Sequence, residues 1–127
     1  MGWLRAAVGA GLILAPGAFL RLSGREAPTP VSVLLMRTIG IRDLVLGTGT
    51  VTAARRGSDG DLQRWTSVGL ASDSLDVLAG LAAAPAIGRI EAAGAAGAAL
   101  GFAIGDLMAL GALREGPGPS VREEPAG

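Results

Sequence analysis

Residues 66–85 read TSVGLASDSLDVLAGLAAAP, a run suited to hydrocarbon except for Asp73 and Asp76. In a helix these two carboxyls stand at i and i+3 and share a face. On a membrane-insertion scale a mid-span aspartate costs about 2.5–3.5 kcal/mol, which the surrounding Ala, Val and Leu barely offset twice over. The segment inserts only with its aspartates protonated, hydrated or paired with cations, and intramembrane charge of this kind is a functional-site hypothesis by default. What matters next is where the matching cations lie and what the neighbouring segments are.

Working outward, three more apolar runs appear. Val31 to Ala54 is long enough to cross about 30 Å of hydrocarbon, and Thr29–Pro30 before it reads as an N-cap followed by proline at the first helical position. Ile90 to Leu113 ends ahead of Gly116–Pro117, a stop signal. The short Pro85–Arg89 turn between the last two runs predicts an antiparallel hairpin. Trp3 to Leu20, flanked by Arg5 and Arg21, fits either a signal peptide or a retained span. The apolar runs that follow favour the span, kinked or ended at Pro16–Gly17. The remainder, REGPGPSVREEPAG, has nothing to bury and is expected to be disordered. The predicted fold class is therefore all-α: an integral membrane four-helix bundle with short loops. Its helices run over about 3–20, 31–54, 66–84 and 90–113, with a disordered cytoplasmic tail over 114–127.

Composition supports this reading. The 127-residue chain is one domain by length; it is 50% hydrophobic but only 3% aromatic, and its mean hydropathy of +0.48 is high for a soluble domain. A soluble helical protein whose apolar segments pack on one another is the alternative. All 11 basic residues are Arg, and the Ala- and Gly-heavy usage suggests a GC-rich bacterial genome, hence an inner membrane. Without His or Cys the chain lacks the commonest general base, thiolate catalysis and cysteine metal sites. Ser67, Ser72 and Ser74 have neither His nor Lys to activate them, so no enzyme activity is expected. Gly47 and Gly49 imitate a dinucleotide fingerprint, but Thr52 stands where its third glycine belongs, and no cofactor is expected. Asp73 and Asp76, with Asp43 or Asp106, have the hard oxygens of a divalent-cation site. Nearby arginines oppose that, and no metal is expected. Zero net charge without a basic run gives no footprint for nucleic acid. The expected partner is the lipid bilayer, joined by a second copy or another membrane protein if helix faces remain free.

Arginines outside the spans set the orientation. Arg5, Arg55, Arg56, Arg64, Arg114 and Arg122 fall on one side, and Arg21, Arg25 and Arg89 on the other. Both termini are thus expected in the cytoplasm, with Trp3 and Trp65 at that same interface.

The cations for Asp73 and Asp76 are expected from the second helix, in MRTIGIRDLVLG, which carries Arg37, Arg42 and Asp43. Adjacent residues point about 100° apart on a helix, so Arg42 is not expected to neutralise Asp43. Arg42, with Arg37 beside it, should instead reach the Asp73/Asp76 face as a guanidinium fork. Asp106 in the fourth helix joins from a third side or snorkels. The predicted intramembrane cluster is Arg37, Arg42, Asp43, Asp73, Asp76 and Asp106, in which acids exceed bases by two. At least one carboxyl should then be protonated or wet.

Helix packing is expected along Gly97, Gly101 and Gly105, two overlapping G-x-x-x-G units, within the bundle or between protomers. On that basis Gly101→Leu should disturb packing more than Ala99→Leu. Ala7, Gly11 and Ala15 make a weaker stripe in the first helix.

The R-x-x-G-x-R-D-x-x-x-G pattern of Arg37, Gly40, Arg42, Asp43 and Gly47, followed by the Asp73/Asp76 helix, resembles small four-helix bacterial membrane proteins. These are collected as domains of unknown function related to the DUF4267 group. The likeness covers about residues 31–112 and implies a four-helix integral membrane protein with no activity to carry over. The function expected is that of an accessory or structural membrane component. The alternative is a small proton- or ion-coupled transporter, or its subunit, working through Asp73, Asp76 and Arg42.

Overall fold

The computed structural model describes residues 1–22, 28–87 and 89–115. These form five helices and no strand: α1 Gly2–Leu14, α2 Pro16–Leu22, α3 Pro30–Arg55, α4 Asp59–Ile87 and α5 Arg89–Glu115.

The first apolar run is not one span. Ala15 leaves the helical region (φ −133°, ψ 53°), as a residue ahead of proline is pushed to do. Pro16 then opens α2, where its missing N–H costs nothing. The two helices meet at 101°, and the Phe19 ring folds back to about 3.0 Å from where a Cβ on Gly11 would stand. With 13 residues, α1 is about 20 Å long, short of the roughly 30 Å of a hydrocarbon core.

The start of α3 is set by a capping box. The Ser32 N–H donates to Thr29 Oγ1 at 3.1 Å, and the Thr29 N–H donates to Ser32 Oγ at 2.9 Å. After Arg55 the chain turns through Gly57, whose φ of +64° suits glycine. Here the polar stretch expected to be loop is already helix. Ser58 Oγ accepts from the Asp61 N–H at 3.3 Å, and Asp59 and Asp61 place negative charge at the positive end of the helix. The helix therefore begins at Asp59 rather than near Thr66. It also runs through Pro85, where it was expected to close; near its C-terminal end the lost hydrogen bond is cheap. Arg114 and Glu115, assigned to the tail, complete α5. Gly88, in the expected turn, and residues 116–127 of the expected tail lie outside the described residues.

The helices pack α1 on α3, α3 on α4, and α4 on α5. The α1–α3 contact is backbone on backbone. A Cβ on Gly9 would lie 2.5 Å from the Leu44 nitrogen and 2.6 Å from the Gly40 carbonyl oxygen. A Cβ on Gly47 would strike the Ala6 nitrogen and lie 2.7 Å from the Gly2 carbonyl oxygen. Pairing Gly2 with Gly47 and Gly9 with Gly40 makes the two helices antiparallel. The packing glycines thus lie in α1 and α3. In α5, Gly97 and Gly101 face open space among the described residues, and Gly105 of the expected stripe meets the Met1 side chain. Ala99, expected to tolerate a leucine better than Gly101, is buried.

Inside and outside are inverted relative to a water-soluble domain. Leu14, Leu75, Leu78, Leu81, Ile104, Leu107 and Met108 are exposed, whereas Arg5, Asp43, Thr66, Asp73 and Asp106 are buried. Small residues (Ala6, Ala53, Ala99 and Ala103) make up much of the remaining interior, as expected where close helix approach rather than large side chains drives association. Two helical segments, Asp59–Ala86 and Ala96–Glu115, are long and apolar enough to cross a membrane, and α1 with α2 qualifies as a bent pair. Within α3 every 18-residue stretch holds three of Arg37, Arg42, Asp43 and Arg55, whereas each of those two spans contains an 18-residue stretch with no more than two charged residues.

Candidate functional site

The close α1–α3 seam turns one side of α1 toward α4 and α5, and Arg5 stands on that side. Its guanidinium is the hub of the interior. Nη2 donates to Asp73 Oδ2 in a short contact and to Asp106 Oδ2 at 3.1 Å, while Nη1 lies 3.9 Å from Asp43 Oδ1. The guanidinium carbon sits 4.7 Å from the centre of the Phe102 ring, close enough for cation–π attraction. Arg5 is 3% exposed and Asp73 only 1%. Four helices thus each place a charged side chain on one centre: α1 Arg5, α3 Asp43, α4 Asp73 and α5 Asp106.

A second, shallower branch hangs on Asp43. Arg42 donates to Asp43 Oδ1 through Nε at 3.2 Å and Nη2 at 3.0 Å, and through Nη1 to Asp76 in a short contact. The neighbouring Arg42 and Asp43 do pair, contrary to expectation. A 100° offset separates their Cβ directions, but the four-bond arginine stem bends back across it. Asp76 is half exposed, and Arg42 sits at the rim of the network.

Of the six residues expected to cluster, Arg42, Asp43, Asp73, Asp76 and Asp106 come together. Arg37 does not. It is exposed on α3 among Leu34, Leu35 and Ile41, and makes no ion pair among the described residues. Arg5 takes the place expected of it, and Asp73 belongs to Arg5 rather than to Arg42. The signal was the surplus of acids over bases, which called for another cation from an apolar run.

Gly69 of α4 makes room for the hub. A Cβ there would lie 2.5 Å from Asp106 Oδ2. Buried Thr66 satisfies its hydroxyl within its own helix, donating to the Leu62 carbonyl at 2.8 Å. Among the described residues two buried side-chain polar atoms remain without a hydrogen-bond partner, Arg5 Nη1 and Asp73 Oδ1.

A cavity of about 600 Å³ reaches the network from one end. The buried Asp106 and Thr66 are among its lining residues, as are Met1, Trp3, Arg55, Leu62, Ala109 and Leu113. Trp3 stacks with Arg55, whose guanidinium carbon is 4.9 Å from the ring centre. Trp65, at the same end of the bundle, lies against Gly49 of α3. The chemistry available is that of carboxyl groups and guanidinium: charge pairing, proton exchange and water binding. Among the described residues no group of three or more acids is placed to hold a metal ion.

No known protein family, curated protein or solved structure matches the chain.

The two branches should respond differently to mutation. At the half-exposed rim solvent screens the Arg42–Asp76 pair, so Arg42→Ala is expected to cost about 1–2 kcal/mol, below the value for a fully buried partner. Asp76→Asn should restore part of that loss and Asp73→Asn should not. Unfolding of the single and double variants in mixed micelles checks this.

Proposed function

We propose that the chain is a non-enzymatic integral membrane protein, an accessory or structural component of a bacterial inner membrane. On this reading α3, α4, α5 and the bent α1–α2 pair form the embedded bundle, and the Arg5-centred network locks the helices together. The observation that carries the proposal is the inverted distribution of side chains. Leucines up to 86% exposed, such as Leu22, surround an interior holding a 3% exposed arginine and a 1% exposed aspartate. In water that arrangement would expose apolar surface on every side. In lipid the apolar surface is matched, and the buried charges serve as interhelical connections.

α3 has no 18-residue stretch with fewer than three charged residues. Its 26 residues reach about 39 Å, and pairing Arg42 and Asp43 inside the bundle removes two of the charges that weigh against insertion. Arg37, seven residues from the start of α3, is close enough to that end to snorkel to the headgroups.

The chain start, the α3–α4 turn and the C-terminal end of α5 share one end of the bundle, since Met1, Arg55, Leu62 and Leu113 line one cavity. With Arg5 moved into the interior, Arg55, Arg56, Arg64 and Arg114 still mark this end, along with Trp3 and Trp65. By the positive-inside rule it faces the cytoplasm. The likeness to the four-helix group rests on the Arg37–Gly47 pattern and adds no activity.

Membrane fractionation and reporter fusions test the proposal. The protein should stay with the membrane through an alkaline wash. A C-terminal fusion should be active as a cytoplasmic reporter, and a fusion after Gly24 as a periplasmic one. Release by alkali, or periplasmic activity at the C-terminus, would contradict it.

A further inference from the structure

The interior network is short of positive charge. Arg5 and Arg42 face Asp43, Asp73, Asp76 and Asp106. Asp76 is half exposed and can be hydrated, and Asp43 lies between the two guanidiniums. That leaves Asp73 and Asp106, both donated to by the same Arg5 nitrogen and therefore near neighbours. One guanidinium can neutralise one of them. The Met1 ammonium reaches Asp106 only from beyond ion-pair distance, so the other carboxyl needs a closer balancing charge, and Asp73 Oδ1 is buried with no hydrogen-bond partner among the described residues. The cavity of about 600 Å³ is lined by Asp106, so one member of the pair is reached from it.

We propose that Asp73 and Asp106 form a proton-binding site that shares one exchangeable proton and fills and empties through this cavity. The site lies inside the membrane bundle proposed above and rests on that reading. In the loaded state the triad is Arg5⁺, one carboxylate and one carboxylic acid, with no net charge. Loading forms one O–H bond at a carboxylate oxygen and converts a cavity hydronium to water; unloading reverses this, with no change of oxidation state. Facing the pair are Arg5 from α1, the Met1 amino group just before it, and Asp43 and Arg42 from α3, with the Phe102 ring of α5 against the Arg5 guanidinium and Asp76 of α4 held off on Arg42. Arg5 holds both carboxyls in place through either state. Release to the cavity would leave two carboxylates on one guanidinium, so protonation and helix packing at this point are coupled.

Infrared spectroscopy tests the site directly. The purified full chain, in whatever medium keeps it folded, should show a protonated-carboxyl C=O band at neutral pH that shifts on transfer to D₂O. Asp73→Asn and Asp106→Asn should each abolish the band, because either change leaves Arg5 a single carboxylate to neutralise. Asp76→Asn should keep it. Ala109→Phe, which fills the cavity away from the charges, should keep the band and slow its D₂O shift by an order of magnitude. The absence of a band in the wild type, its survival in both Asn variants, or unslowed exchange in Ala109→Phe would overturn the proposal. If one Asn variant does not fold, the other together with Ala109→Phe decides. A band with this behaviour in a protein that needs neither detergent nor lipid would sink the membrane reading and leave the proton site standing.

Discussion

Replacing Arg5 with alanine should cost about 3–5 kcal/mol of stability, because it strips the one cation shared by three buried carboxyls. Loss of the contact with Phe102 adds about 0.5–2 kcal/mol. The stranded carboxylates can discharge themselves by taking up protons, which holds the loss near the lower end of that sum. Arg37→Ala, only one helix away, is expected to change stability by no more than about 0.5 kcal/mol, since Arg37 is exposed and unpaired among the described residues. The contrast separates the network seen in the fold from the one centred on α3. Reversible unfolding in mixed micelles measures both variants.

The second large effect is expected at the α1–α3 seam. A leucine at Gly47 would have to occupy space already filled by Ala6 backbone atoms and the Gly2 carbonyl oxygen. Backbone cannot rotate away as a side chain can, so helix α1 must move as a body. Overpacking in ordinary cores costs about 1–3 kcal/mol, occasionally more, and here it should exceed that range and remove most folded protein. Moving α1 also withdraws Arg5 from Asp73 and Asp106, so one substitution breaks two features. Gly101→Leu, facing open space, should fall within about 0.5 kcal/mol of wild type. Ala99→Leu, at a buried position, should cost about 1–3 kcal/mol. The order of the last two is the reverse of the one that glycine spacing alone suggests. Yield and thermal stability in detergent give the ranking.

Much of the helical layout is legible in the chain. Thr29–Pro30–Val31–Ser32 states the start of α3 because both halves of a capping box and an N1 proline are local signals. Pro16 marks where the first apolar run breaks, but the 101° angle between its halves is set by Phe19 packing on Gly11, which no local pattern encodes. The start of α4 is hidden because GSDGDLQR has the composition of a loop. It becomes helical through the Ser58 cap and the long helix that follows. The four interior aspartates are legible because charge stands out in apolar runs. Their partners are harder. Arg5 is near the chain start, where arginines usually sit at an interface, and the seam that pushes it inward depends on α1 and α3 meeting at Gly9, Gly40 and Gly47. Those glycines are spaced over two helices, so they form no motif within either. The G-x-x-x-G units of α5 do form a motif, yet Gly97 and Gly101 meet nothing among the described residues. Spacing shows which residues allow close approach, and topology decides where approach occurs.

Arg5, not Arg42, neutralises Asp73 at the meeting point of four helices. A double-mutant cycle on unfolding free energy, using Arg5→Met with Asp73→Asn and, in parallel, Arg42→Met with Asp73→Asn, tests it most directly. Residues in one buried ion-pair network show coupling of about 0.5–3 kcal/mol. The fold predicts coupling in the upper part of that range for Arg5 with Asp73 and near-additivity for Arg42 with Asp73. Additive losses for Arg5 and Asp73, with coupling moved to Arg42, would contradict it.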